Sequence, residues 1–172
     1  MKTKSALIEE IVGLLGAVGN KFDVEMIGGE DDDAERDFMA QRCPPRLATA
    51  VRELPTLSMH LLAVIADGPV SVVGLAARSG QLKGTVSKHV QRLVDAHLVD
   101  RRPIPGNRKE VELVPTGDGE LVAAAHSQLH DEMDRGRHDF LKAYGSPELQ
   151  VLAKVLRDLL AATKQGVRIT RQ

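Results

Sequence analysis

The sequence predicts a mostly α-helical protein with one small β-hairpin, and three observations carry that reading. Apolar residues recur at spacings of three and four through most of the chain, the period of an amphipathic helix. Residues 98–114 instead show short apolar–polar alternation around a Pro-Gly-Asn turn, the pattern of a hairpin. The 172 residues are 42% apolar and 27% charged, which excludes globally disordered and fibrous classes. No apolar run approaches the ~18–20 residues that a membrane span needs. The opening MKTKSALIEEIVGLLG has the lysines of a signal peptide. It places Glu9 and Glu10 ahead of the apolar centre and offers no small-residue cleavage site, so it reads as mature chain. A single cysteine, Cys43, allows no intrachain disulfide and fits a reducing cytoplasm.

Each element has its own warrant. Leu7, Ile8, Ile11, Val12, Leu14, Leu15, Val18 and Phe22 predict a helix over 5–27. Within it Gly13, Gly16 and Gly19 line one side, fitting either close approach of another helix or a weak helix. Gly28-Gly29 and the acids Glu30–Asp33 predict a solvated loop without the ligand spacing of a calcium site. A short helix then runs to Arg42, Cys43-Pro44-Pro45 interrupts it, and helical character resumes over 46–53. Leu57, Leu61, Leu62, Val64 and Ile65 predict a buried helix stopped by Asp67-Gly68-Pro69. Ser71 caps a helix through Ser79, and Gly80 ends it. A further helix over 83–96 buries Val86, Val90, Leu93 and Val94, leaving Lys83, Gly84, Ser87, Lys88 and Gln91 on the opposite face. Strands over 98–102 and 109–114 make a hairpin with a basic tip. Thr116 caps a long helix to about Tyr144, closed by Gly145. Ser146-Pro147-Glu148 starts a last amphipathic helix that Gly166 ends.

The near-neutral total charge hides an asymmetry. Residues 1–41 carry ten acids against four bases, and residues 78–109 carry eight bases against two acids. A basic middle of net +6 points to a polyanion surface. Three Phe, one Tyr and no Trp argue against a single-strand or RNA platform, which stacks bases on exposed rings.

Three short helices followed by a hairpin form a winged helix-turn-helix. Its second helix enters the major groove of double-stranded DNA. Lys83 and Lys88 suit phosphates, while Thr85, Ser87 and Gln91 suit base edges. Arg108 and Lys109 at the hairpin tip suit phosphates or the adjacent minor groove, with Arg101 and Arg102 adding charge behind them. The run Ser71-Val72-Val73-Gly74-Leu75-Ala76-Ala77-Arg78-Ser79-Gly80, the run from Lys83 to Leu93, and the wing from Leu98 to Thr116 together resemble the multiple-antibiotic-resistance regulator (MarR) family of bacterial repressors. The likeness covers Leu57 to about Val122. It departs from the family pattern at Leu82, where a capping Ser is usual, and at Asn107 and Lys109, where Asp and Arg are usual.

The resemblance implies a cytoplasmic homodimer that represses a palindromic operator, with DNA contacts from Ser71, Lys83, Gly84, Thr85, Ser87, Lys88, Gln91, Arg92, Arg101, Asn107, Arg108 and Lys109. It further implies a small aromatic or apolar effector. The expected organisation is dimerisation helices in 1–55, the winged unit in 56–116 and further dimerisation helices in 117–172. The stripes Leu149/Leu152/Leu156/Leu159 and Leu7/Ile11/Leu14/Leu15 are expected to bury one another across a two-fold axis. Two alternatives keep the scaffold: a protein-interaction module, and a redox- or metal-sensing regulator. Cys43 lacks tight basic flanks, and His126, His130 and Asp134 read as a solvated helix face, so no cofactor or metal is expected. No nucleophile elbow or carboxylate pair points to an enzyme.

Overall fold

The computed structural model of the chain describes residues 2–22, 30–104, 107–165 and 168–170. Its helices are α1 (Lys4–Phe22), α2 (Glu30–Arg42), α3 (Ala48–Glu53), α4 (Thr56–Ala66), α5 (Val72–Ser79), α6 (Lys83–Asp95), α7 (Gly117–Leu141) and α8 (Ser146–Ala161). A 3-10 turn (Pro45–Leu47) precedes α3. The strands are β1 (Val70–Ser71), β2 (Val99–Ile104), β3 (Asn107–Pro115), β4 (Thr163–Gln165) and β5 (Arg168–Thr170). The predicted mostly α fold with a β-hairpin wing is present. The chain divides into two compact units, one of residues 1–29 and 131–172 and one of residues 30–130.

In the unit of residues 30–130, α4, α5 and α6 pack on one another and on the sheet. Leu61, Leu62, Ile65, Leu75, Val86, Val90, Leu93, Leu98 and Leu113 are fully buried there. Burying each such side chain contributes about 1.5–3 kcal/mol. Ser71 caps α5 as expected, its Oγ accepting from the Gly74 N–H at 3.1 Å. Gly80 leaves α5 with φ +67°, a left-handed conformation that glycine adopts without steric cost.

The sheet has the order β1-β3-β2, one strand more than the predicted hairpin. β1 pairs Val70 with Leu113 and Ser71 with Glu112. Two residues are too few to show alternation, so this strand has no sequence signature. β2 and β3 run longer than expected, and their register shifts after the Pro103–Val111 pair so that Ile104 meets Asn107. Arg108, Lys109 and Glu110 fall in that shift, a bulge-like break next to the turn.

α6 ends without glycine. His97 takes φ +57°, its N–H donates to the Val94 carbonyl at 2.9 Å, and Leu98 N–H donates to Leu93 O at 2.9 Å. This is a Schellman motif with histidine in the left-handed position, accompanied by burial of Leu93 and Leu98. Thr116 locks α7 onto the same corner. Its N–H donates to Leu98 O at 3.0 Å, its hydroxyl donates to His97 O at 2.8 Å, and the Thr116 Oγ1 accepts from Gly119 N–H at 3.0 Å. A Cβ on Gly119 would fall on the Leu98 carbonyl oxygen.

In the unit of residues 1–29 and 131–172, α1 packs along α8. Leu7, Ile8 and Ile11 share one buried cluster with Leu141, Leu149, Ala153 and Leu156. The stripes expected to meet across a two-fold axis therefore bury one another within a single chain. Ala153 is small enough for α1 and α8 to approach closely, which is why one chain satisfies both. Arg157 donates to Glu10 at 2.6 Å across this contact, and Lys2 also pairs with Glu10 at 3.0 Å. The Lys2 hydrogen bond, with Arg157, holds the Glu10 carboxyl below its ordinary range. Added Cβ atoms at Gly13, Gly16 and Gly19 meet nothing within 4 Å among the described residues.

Other boundaries differ from expectation. α1 stops at Phe22, and residues 23–27 of the predicted helix lie outside the described residues. Glu30–Asp33 open α2 instead of forming a loop, because acids at a helix start complement the macrodipole; Gly28-Gly29 lie outside the described residues. α7 ends at Leu141, three residues short of Tyr144, and Gly145 rather than Ser146 is the cap of α8. The Gly145 N–H donates to Glu148 at 2.7 Å. α8 stops at Ala161, and β4 pairs with β5 where the helix was expected to continue.

Two substitutions at the His97–Gly119 corner should move stability in opposite directions. Gly119→Ala should destabilise by about 1–3 kcal/mol through overpacking against Leu98. His97→Gly should stabilise by up to about 1 kcal/mol by removing left-handed strain. Urea denaturation checks both, and unchanged midpoints would contradict the geometry.

Candidate nucleic-acid interface

The helix-turn-helix is built from α5, the residues Gly80, Gln81 and Leu82, and α6. Val86, Val90 and Leu93 fix which side of α6 faces the core, since all three are fully buried. Lys83, Gly84, Ser87, Lys88 and Gln91 are exposed, as their spacing predicts, while Thr85 and Arg92 are half-buried at the edges of that face. Val94, expected in the core, is half-buried. Ser71 is also half-buried, and its hydroxyl is committed to the α5 cap.

The start of α6 has no side-chain cap. Leu82 precedes it in an extended conformation and is 79% exposed. The first N–H groups therefore face outward with the positive end of the helix dipole. An added Cβ on Gly84 meets nothing within 4 Å among the described residues, so no packing among them requires glycine there. Gln91 donates to Asp95 at 2.7 Å and must leave that carboxylate to reach another partner. Lys83 and Lys88 have no ion-pair partner among the described residues.

In the wing, Arg101 and Arg102 are exposed, Arg102 lying 3.8 Å from Asp100. The backbone of Asn107, Arg108 and Lys109 belongs to β3, and their side chains lie outside the described residues. Glu112 stands opposite Arg102 in the ladder. The wing is tied to the helix-turn-helix through β1, which pairs with β3 and leads directly into α5.

His89 lies on α6 between the buried and exposed faces. Its Nδ1 is 2.8 Å from the hydroxyl of the fully buried Ser58 on α4. Burial, then the Arg92 and Lys88 charges, lower its pKa below 6.5. Near neutral pH the positive charge of this face thus comes from lysine and arginine. Cys43 is buried and desolvation raises its thiol pKa, the opposite of a reactive thiolate. Asp134, grouped by spacing with His126 and His130, is bound by Arg137. A residue that sequence reasoning missed is His60, which α4 brings against His126 and His130. A histidine within the apolar helix TLSMHLLAVIA was the available signal.

A family model described as MarR family matches residues 53–110. YhjH of Bacillus subtilis, described as an uncharacterized HTH-type transcriptional regulator, is 26% identical over 109 residues, covering 63% of this chain and 62% of that protein. The HTH-type transcriptional regulator PchR of the same organism is 25% identical over 112 residues, covering 63% and 66%. The chain thus spans less than two thirds of the length of either relative. Streptococcus pneumoniae FabT in complex with DNA has a similar fold, with a TM-score of 0.55 at 20% identity over 73% of this chain and 86% of that one. No helix among the described residues is long and apolar enough to cross a membrane.

The His89 environment sets a pH dependence. Its folded pKa lies below the unfolded value, so its contribution to stability is complete above about 6.5 and is lost as pH falls through the folded pKa. Denaturation midpoints should therefore fall between pH 7 and about 5.5, and fall less in His89→Gln. Equal slopes for wild type and variant would remove His89 from the balance.

Proposed function

We propose that the chain is a transcriptional regulator of the MarR family that reads double-stranded DNA through α6 and the β2–β3 wing, a reading supported by the family match over residues 53–110. The observation that carries this reading is the division of α6. Its apolar stripe is fully buried, while Lys83, Gly84, Ser87, Lys88 and Gln91 stand exposed on the other side. The uncapped N–H groups and Lys83 suit a phosphate. Thr85, Ser87 and Gln91 suit base edges, and Lys88 and Arg92 suit flanking phosphates. In the wing, Arg101, Asn107, Arg108 and Lys109 suit the neighbouring backbone and minor groove. Ser71 contributes by positioning α5. The protein is a binding protein rather than an enzyme, and it acts in the cytoplasm as a repressor.

The operator is palindromic and the regulator a homodimer, with residues 1–55 and 117–172 supplying the subunit contacts. Exposed apolar side chains in the unit of residues 1–29 and 131–172 support this: Leu15, Tyr144, Val151 and Val155 are 36–64% exposed. A second copy of the chain covers them. An open groove beside this surface, lined by Leu15, Gly136, Arg137, Phe140, Leu141 and Leu152, is compatible with a small apolar or aromatic effector bound at the edge of the subunit contact.

Lys88→Ala should weaken binding to all DNA and reduce the salt slope by about 0.9. Gln91→Ala should relax preference at one base pair by about 1–3 kcal/mol. Gly84→Ala should keep or raise stability, by up to about 1 kcal/mol, while lowering DNA affinity, because the added methyl meets only the ligand. Fluorescence anisotropy on upstream DNA of the chain's own coding sequence reads all three; three variants with wild-type affinity, salt slope and base preference would overturn the reading. For assembly, Val155→Asp should convert a sedimenting dimer to a folded monomer. A monomeric wild type would contradict the dimer.

A further inference from the structure

We propose that His60, His126 and His130 form a three-histidine binding site for a divalent transition-metal ion, with Zn²⁺ the best-fitting occupant. His126 and His130 stand four apart on α7, so one helix face presents both imidazoles. α4 delivers the third from 66 positions earlier in the chain. One ligand nitrogen from each of the three lies within 4.8 Å of the others.

The distances suit a single ion. The Nε2 atoms of His126 and His130 are 3.2 Å apart. Two ligands held at the ~2.0–2.1 Å of a Zn–N bond in tetrahedral geometry stand about 3.3–3.4 Å from each other. His60 has its ring centroid 5.2 Å from that of His126 and 6.0 Å from that of His130, close enough for side-chain rotation to bring its nitrogen onto the same centre. A hydrogen bond between His126 and His130 accounts for two of the convergent nitrogens and leaves the third without a role. An ion uses all three.

The donor set selects the class of ion. Among the described residues the cluster holds imidazoles and no carboxylate. Neutral nitrogen donors favour Zn²⁺, Ni²⁺ and Cu²⁺ and disfavour Mg²⁺ and Ca²⁺, which take oxygen. His126 is buried while His60 and His130 are exposed, so the ion has both a fixed anchor and a path of entry. Three protein ligands leave a fourth position for water. Binding would pin α4 to α7, and α4 is the helix on which α6 packs.

The test uses the full-length, untagged chain and needs no DNA, so its outcome is independent of the DNA-binding reading. Zn²⁺ titration calorimetry and Co²⁺ absorption should both give one ion per chain, with the strong visible bands of a four-coordinate Co²⁺ site. His60→Gln and His130→Gln, both at exposed positions, should each weaken binding by at least about tenfold, the lower end of what even an outer-shell change costs. In the wild type, Zn²⁺ should shift the imidazole NMR signals of His60, His126 and His130 and leave those of His89, His97 and His138 in place. That last measurement requires no variant to fold. Absence of binding, undiminished affinity in both variants, or shifts confined to other histidines would each overturn the proposal.

Discussion

The structure depends first on the burial of one face of α6. Val86, Val90 and Leu93 have no exposure at all, and each contributes about 1.5–3 kcal/mol when removed from water. The helical period then leaves no freedom for the remaining residues. With those three fixed inward, Lys83, Ser87, Lys88 and Gln91 must point away from the core. A basic, polar surface is thus a consequence of apolar packing on α4, α5 and β2, and charge repulsion among its lysines is tolerated because water reaches them.

The corner after α6 transmits that orientation to the rest of the unit. His97, Leu98, Thr116 and Gly119 join the end of α6, the base of the β2–β3 hairpin and the first turn of α7 through five backbone or hydroxyl hydrogen bonds. The absence of a side chain at Gly119 lets α7 begin directly on the Leu98 carbonyl. β1 performs the same service on the other side, pairing with β3 and running straight into the cap of α5. Wing and helix-turn-helix are therefore held by backbone bonds, which leaves the exposed side chains free for a ligand.

Much of this was legible in the sequence where a residue's local chemistry decides the outcome. Ser71 as a cap, Gly80 in the left-handed region, the buried stripe of α6 and the strand pair after it all follow from side-chain type and spacing. What sequence could not show rests on tertiary context. β1 is two residues long, and β4 and β5 three each, below the length at which alternation is readable. His97 fills a position where glycine is the recognisable signal. The stripes of α1 and α8 were correctly read as needing a partner, but periodicity cannot say whether that partner is in the same chain. The spacing of His126 and His130 was visible, whereas His60 joins them only because the fold brings its ring beside theirs from α4.

If the exposed face of α6 is a DNA-reading surface repeated by two-fold symmetry, its footprint on DNA is determined by geometry. Hydroxyl-radical footprinting of the full-length protein on its own upstream region measures that directly. The account predicts two protected patches with centres about one helical turn apart, ~10–10.5 base pairs, flanking a pseudo-palindrome. Uniform protection without sequence preference, or no protection at low salt, would contradict it.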